Sequence, residues 1–400
     1  MEAAMIGAGV ESLYTIKKAH EYGINVIALD GNPKAEGLSE ADFPMVVDIS
    51  DEGAVIEALK RKKPDFVLTA PIGRYLTTIG AVNDALGLPG ISHEMAVSCT
   101  DKFLFHKRLK EQKLRAGRCY LVEGGQVTDV TGKSCQEMDK LSQELLLTFP
   151  AILKPRYGSG SRGIYMLDNW QQLTKSLERI SGEPYVLEEC AQGEEYGVDG
   201  ALIGDRFYMV LLRKKKNTPP PARQAVGYFS VSPSDKLWQR VQMHMEKITA
   251  CLGLRECLFH ADIIKTAEGF FVIELSARPS GHNLHNLFTP LCTGVDVVEE
   301  YIRHRLGLPC HFDTKEVKPM LIHYFDLQGK VKRVPDQEEV RRVIGDRLAE
   351  WECHIKEGEE LAPVSDGHSL MGRGFFILKG GDEKELRKQA ETVKNLFLTI

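Results

Sequence analysis

The stretch His260 to His282, HADIIKTAEGFFVIELSARPSGH, decides how the rest of the chain is read. His260-Ala261-Asp262-Ile263-Ile264 and Phe270-Phe271-Val272-Ile273-Glu274-Leu275 read as adjacent antiparallel strands, with Lys265 to Gly269 as the turn between them. Asp262 and Glu274 each sit inside an apolar strand, where an unpaired carboxylate is costly. Brought together they also repel, which raises a pKa. A divalent cation resolves both problems, and oxygen-only ligands suit magnesium. The plain alternative is two outward-facing acids on half-exposed strands. Arg278, four residues beyond Glu274, is placed to reach the same pocket as an anion clamp.

Upstream, Leu153-Lys154-Pro155-Arg156-Tyr157-Gly158-Ser159-Gly160-Ser161-Arg162-Gly163 is an apolar strand that delivers a lysine into a Gly/Ser loop. Glycines let backbone N–H groups approach phosphate oxygens, and the ammonium adds a point charge. The loop is not a Walker A motif, since its lysine precedes the glycines and no GK[ST] closes it. Alone it also fits a flexible hairpin. Tyr185 to Asp199 reads as strand, turn and strand, with Glu188, Glu189, Glu194 and Glu195 at the turn. Acids there can accept from an amine or from hydroxyls, or be solvated strand ends. Residues 101 to 118 carry seven Lys/Arg against Asp101 and Glu111, ordinarily a solvated helix face. Arg213-Lys214-Lys215-Lys216 is read as part of a loop extending to Tyr228, through Pro219 to Arg223.

The first ninety residues alternate short apolar strands (Ala3 to Ala8, Asn25 to Leu29, Met45 to Asp48, Asp65 to Ala70) with helices, predicting a parallel, helix-covered, Rossmann-type unit. Gly7-Ala8-Gly9-Val10-Glu11-Ser12 resembles GxGxxG with Ser12 in the third glycine's place, and Asp30 stands where a ribose acceptor would. Such a turn needs small residues even when it binds nothing. Farther on, the sequence predicts a long helix over Lys236 to Leu252 and an amphipathic one over Asp382 to Leu396.

The 400 residues are 43% hydrophobic and 27% charged, with net charge −5, ample for burial and without a basic field for nucleic acid or an anionic membrane. No apolar run approaches the ~20 residues of a membrane helix. Met1-Glu2-Ala3-Ala4 lacks a signal peptide's basic start. Nine scattered cysteines without zinc spacing predict free thiols in a reducing cytoplasm.

In order, Asp101-Lys102, the strand-borne Lys154 with its loop to Gly163, the acidic hinge, and the Asp262, Glu274 and Arg278 set resemble the ATP-grasp superfamily. The tail, with Gly372-Arg373-Gly374-Phe375-Phe376-Ile377 before a terminal helix, resembles the C-terminal lobe of its carboxylate–amine (amino-acid) ligases. The resemblance implies an α/β and α+β architecture: a Rossmann-like domain (1–92), a two-lobed ATP-grasp domain (93–315) and a small C-terminal α/β lobe (316–400). It implies that Lys102 and Lys154 hold ATP phosphates under a lid formed by Gly158, Ser159, Gly160, Ser161 and Gly163. Glu188 would take the adenine amine, backbone groups of Glu189 and Ala191 the ring edge, and Glu195 the ribose. Asp262, Glu274 and Ser276 would bind Mg²⁺, with Mn²⁺ as a substitute. Arg278 would steady the transferred phosphoryl group, and His282 would serve the attacking amine or the acyl group. Two positions depart from the family: Asp262 is shorter than the frequent glutamate, and Ser276 stands where asparagine is frequent.

The implied activity joins a small-molecule carboxylate to an amine through an acyl phosphate, releasing ADP and phosphate. Gly281-His282 after Arg278-Pro279 also resembles the branch that carboxylates an amine with bicarbonate. A nicotinamide oxidoreductase using the N-terminal turn and a non-catalytic nucleotide-binding module are the readings from other classes. Neither nucleic acid nor membrane is expected as a partner, and a homodimer is the commonest symmetric form.

Overall fold

Ala3-Ala4-Met5-Ile6 is apolar on both faces, the signature of a strand inside a helix-covered parallel sheet. In the computed structural model, which describes all residues except 136–140, 159–162, 181, 220–222 and 365–366, this segment is central to such a sheet. The spatial order is Phe43–Val46, Asn25–Asp30, Glu2–Ile6, Phe66–Val67, every pair parallel. Helix Glu52–Lys62 starts where the Asp51 side chain accepts from Ala54 N, and it ends at the left-handed Lys63. The N-terminal unit is fastened to helix Val297–Arg305: Tyr22 Oη donates to Glu299 (2.7 Å), and Tyr14 Oη donates to Asp296.

A six-stranded antiparallel sheet follows. Its centre is Cys119–Glu123, Tyr185–Glu189 and Ala151–Pro155, with Lys154 facing Val186 in register. An eight-stranded antiparallel sheet forms the larger lobe. Phe270–Ser276 is its edge, then Cys257–Lys265, Glu194–Ile203, Arg206–Asn217 and Ala225–Val231. The sheet does not stop at residue 316. Met320–Tyr324 pairs with Ala225–Val231, and Gly374–Lys379 and Leu348–Cys353 extend it. The tail nonetheless has its own core, in which Phe325, Trp351, Phe376 and Phe397 pack around Leu386, Ala390 and Val393 of helix Glu383–Lys394.

The run Arg213 to Lys216, expected as a loop, belongs to strand Arg206–Asn217. Lys214 bonds Glu194 (2.6 Å) and Lys216 bonds Glu391 (2.6 Å), while Arg213 and Lys215 alternate onto the opposite face. Ion pairs on both faces accompany this run as a strand rather than a loop.

Gly193 joins the two lobes at φ +154°, and a Cβ there would lie 2.0 Å from Lys265 O. Gly193→Ala is therefore expected to destabilise the protein by about 2 kcal/mol or more, seen as a lower urea midpoint at unchanged slope. An unchanged midpoint would contradict this packing.

Candidate active site

Three segments converge on the carboxylate of Glu188, which is 2% exposed. Lys154 pairs with Oε1, Arg115 Nη2 donates to Oε2 at 2.7 Å, and His106 Nε2 lies 3.0 Å from the same oxygen. Burial alone would raise the pKa of Glu188, but Lys154, His106 and Arg115 outweigh it and hold the acid well below its usual range. Burial and Arg115 push His106 down to about 3, so its imidazole is neutral. Arg115 also stacks over Phe271 (4.1 Å to the centroid) and reaches Val272 O (3.3 Å), tying the smaller lobe to the strand that carries Glu274. Glu188, expected to take the adenine amine, thus sits in a buried charge cluster rather than at a solvated strand end. Arg115 and His106 were missed, hidden in a stretch that reads as a solvated face.

Asp101 caps helix Lys102–Glu111 by accepting from Leu104 N (3.0 Å), and it also accepts from Arg156 Nε (2.9 Å) and Nη2 (2.6 Å). This fixes Lys102, whose Nζ donates to Gly158 O at 2.8 Å. Lys102 and Gly158 line a cavity of about 40 Å³ with Glu274, Ser276, Arg278 and the unforeseen Arg74. Burial, with Lys154 adding to it and Glu274 opposing, lowers the pKa of Lys102. Gly158 and Gly163 have φ of +123° and +71°, which favours glycine. Ser159, Gly160 and Ser161 lie outside the described residues.

The expected pairing of Asp262 with Glu274 is present as cross-strand register, with an irregularity just after it. Ser276 and Arg278 follow Glu274 at two-residue spacing, half-buried between the core residues Leu275 and Ala277. Lys215 pairs with Asp262, and His260 Nε2 lies 3.5 Å from Asp262 Oδ1. Asp262 Oδ1 is nevertheless buried without a hydrogen bond. Among the described residues, no group of three or more His, Cys, Asp or Glu is arranged to hold a metal. Two carboxylates and a hydroxyl are the protein's donor set, and an orphaned buried oxygen fits a hard cation whose other ligands come from a nucleotide.

The other predicted contacts are already engaged. Glu189 accepts from Arg118 N (2.9 Å) and Thr148 Oγ1 (2.7 Å), and its own N–H goes to Arg118 O. Ala191 lies beyond the strand end, its carbonyl 3.7 Å from Cys190 Sγ. Glu195 is held by Arg223 and by Asn217 Nδ2 (2.6 Å). Asp30, expected as a ribose acceptor, accepts from Ala8 N and Asn32 N, both at 2.8 Å, so its carboxylate serves the turn itself. Glu11 of the same turn accepts from His282 N (2.8 Å), directing the N-terminal unit toward the cleft. His282 takes φ +62°, its ring against Tyr324, whose hydroxyl donates to His282 O.

Residues 147–285 match the model of the ATP-grasp domain. Carnosine synthase 1 of Gallus gallus is 24% identical over 76% of this chain, which spans only 35% of that protein. Among solved structures, the L-amino acid ligase of Bacillus licheniformis superposes with TM-score 0.78 at 16% identity, covering 100% of this chain and 98% of that one. The N5-carboxyaminoimidazole ribonucleotide synthetase of Thermotoga maritima gives 0.72 at 19%, covering 99% and 98%. The match is confined to residues 147–285, and the whole chain shares the fold of that L-amino acid ligase and that N5-carboxyaminoimidazole ribonucleotide synthetase. No helix among the described residues is long and apolar enough to cross a membrane.

His106 has a folded pKa below its ordinary 6.5, so unfolding takes up a proton between 6.5 and about 3. Its contribution to stability is complete above pH 6.5 and declines on acidification. In His106→Asn the stability lost between about pH 7 and pH 5 should shrink by about 2 kcal/mol, measured by urea unfolding at both values. An identical loss in both proteins would contradict a buried neutral imidazole.

Proposed function

We propose that the protein is an ATP-dependent carboxylate–amine ligase that activates a small carboxylate as an acyl phosphate, joins it to an amine, and releases ADP and phosphate. The observation that carries this reading is the convergence of Lys102, Gly158, Glu274, Ser276 and Arg278 on one cavity. Phosphoryl transfer asks the protein for positioning and charge neutralisation, not for covalent chemistry. Lys102, held by Gly158, and Lys154, held by Glu188, supply fixed positive charge for the phosphates. Arg278 steadies the transferring group from the other lobe. Asp262, Glu274 and Ser276 would hold Mg²⁺, which when bound neutralises phosphate charge. His282, whose backbone N–H is held by Glu11, would serve the attacking amine or the acyl group. The similarity to an L-amino acid ligase and to a carnosine synthase supports amide formation.

Carboxylation of an amine by bicarbonate is the second reading, favoured by the Arg278-Pro279-Ser280-Gly281-His282 segment and the similarity to the N5-carboxyaminoimidazole ribonucleotide synthetase. Nine cysteines outside any disulfide suit a reducing compartment such as the cytoplasm.

Phosphate release from ATP and Mg²⁺, measured with amino acids, small carboxylic acids and bicarbonate as separate additions, tests the reading. Release stimulated by an acid pool, with a product one water lighter than two reactants combined, is expected; stimulation by bicarbonate alone would move the assignment to carboxylation. Glu274→Gln and Lys154→Ala should each lower ATP turnover at least ~100-fold, as loss of electrostatic contacts to a transferring phosphoryl group does. Near-normal turnover in either would remove that residue from the mechanism. Lys215→Ala, which frees Asp262, should impair turnover, whereas Lys214→Ala/Lys216→Ala should leave it within about twofold, since those lysines face the C-terminal helix; equal effects would contradict the strand geometry.

A further inference from the structure

The N-terminal turn Gly7 to Ser12 resembles a dinucleotide motif, yet its acidic side chain is directed at the cleft. Glu11 lies in the short turn Val10–Ser12 that opens helix Leu13–Glu21. Its Oε1 accepts from the backbone N–H of His282 at 2.8 Å. The carboxylate also lies close against Gly281, where a Cβ would come within 2.8 Å of Oε2 and 3.1 Å of Oε1. A helix start of this kind offers N–H groups to a phosphate, and an acid placed there works against one. The turn therefore serves the segment that follows Arg278.

The backbone that Glu11 grips is strained. His282 and Asn283 take φ of +62° and +57°, two successive non-glycine residues in the left-handed region. Such residues persist where their surroundings over-determine them, and they gather at active sites. Both polar ends of His282 are held from outside its own segment: Glu11 takes its N–H, and the hydroxyl of the buried Tyr324 donates to its carbonyl. The imidazole is confined as well. Its ring meets that of Tyr324 edge-on with centroids 6.2 Å apart, and a Cβ on Gly367 would come within 2.7 Å of His282 Cε1. Three stretches far apart in sequence thus meet on one residue, four positions beyond Arg278. A mere connection at this φ would be met most easily by glycine, whereas here the fold keeps a bulky ring in place.

We propose that Glu11 and Tyr324 are positioning residues for the acceptor step: they grip the N–H and the C=O of His282 and so hold its imidazole where the amine or the acyl group arrives. This rests on the ligase reading and gives the N-terminal turn a use within it. The turn then contributes to turnover without touching the nucleotide.

Turnover of the whole chain is measured as phosphate release from ATP and Mg²⁺ with pools of carboxylic acids and amines. Glu11→Ala should lower kcat at least ~10-fold while KM for ATP stays within about twofold. Glu11→Gln, whose amide oxygen still accepts from the N–H, should recover kcat to within about fivefold of the unaltered protein. Tyr324→Phe removes one oxygen and keeps the ring; it should lower kcat in the same manner, and it carries the comparison should Glu11→Ala fail to fold. His282→Gly removes the imidazole and fits the left-handed φ, so adding Glu11→Ala to it should lower turnover by less than about a further twofold. Near-normal turnover in His282→Gly, or the full additional loss from Glu11→Ala in that background, would overturn the proposal. Placement is read apart from turnover by NMR of protein labelled at histidine, in which the His282 Cε1–H signal is the one missing from His282→Gly. That signal should move in Glu11→Ala and in Tyr324→Phe and keep its place in Glu11→Gln. A signal unmoved in Glu11→Ala would overturn the grip itself. A moved signal with unimpaired turnover removes the positioning role and leaves the ligase reading. No phosphate release with any pool, the signal moving as expected, removes the ligase reading and the acceptor role with it.

Discussion

The arrangement depends on one buried carboxylate. Glu188 gathers Lys154 from its neighbouring strand, His106 from the helix that Asp101 caps, and Arg115 from the chain leading into the smaller lobe. Each partner would be expensive to bury alone, and removing the shared acid would leave cations uncompensated, at a cost of about 3–5 kcal/mol for a cluster of this kind. Arg115 carries the constraint across the cleft by lying on Phe271 and donating to Val272 O, within the strand that presents Glu274. The same network that neutralises Glu188 thus sets the two lobes facing each other.

Charge along the cleft is arranged in tiers. The smaller lobe brings cations, Lys102 and Lys154, that hold other protein groups and are fixed in place by them. The larger lobe brings the acids, with Asp262 and Glu274 opposite each other and Lys215 compensating the first. Behind them Arg213, Asp199 and His260 form a pocket of polarity inside the sheet. Such preorganised charge suits a reaction whose difficulty is electrostatic, because no reorganisation is needed when negative charge arrives.

Much of this was legible in the sequence where pattern and function coincide. The alternation of short apolar strands and helices gave the parallel N-terminal sheet, and the hairpin around Lys265 to Gly269 put Asp262 opposite Glu274 as read. The spacing of Leu386, Ala390 and Val393 gave the terminal helix and its buried face. What stayed hidden depended on partners far away in the chain. Arg115 and His106 looked like part of a solvated basic face because periodicity does not say which cation meets a buried acid 73 or 82 residues on. Arg213 to Lys216 looked like a loop because its counterions, Asp199, Glu194, Asp262 and Glu391, come from other strands and a distant helix. The pairing of Met320–Tyr324 with Ala225–Val231 carries no local signal at all, so the tail reads as separate although it continues the central sheet.

The central claim is that a carboxylate oxygen attacks the terminal phosphate of ATP in the cavity between Lys102 and Glu274. The most direct measurement supplies ATP, Mg²⁺ and carboxylic acids labelled with 18O in the carboxyl group, then weighs the released phosphate. Phosphate carrying one carboxylate-derived 18O is the expected result, since breakdown of an acyl phosphate by an amine leaves that oxygen on phosphorus. Phosphate released without label would mean that water attacks ATP directly, and it would contradict the ligase chemistry assigned to this cleft.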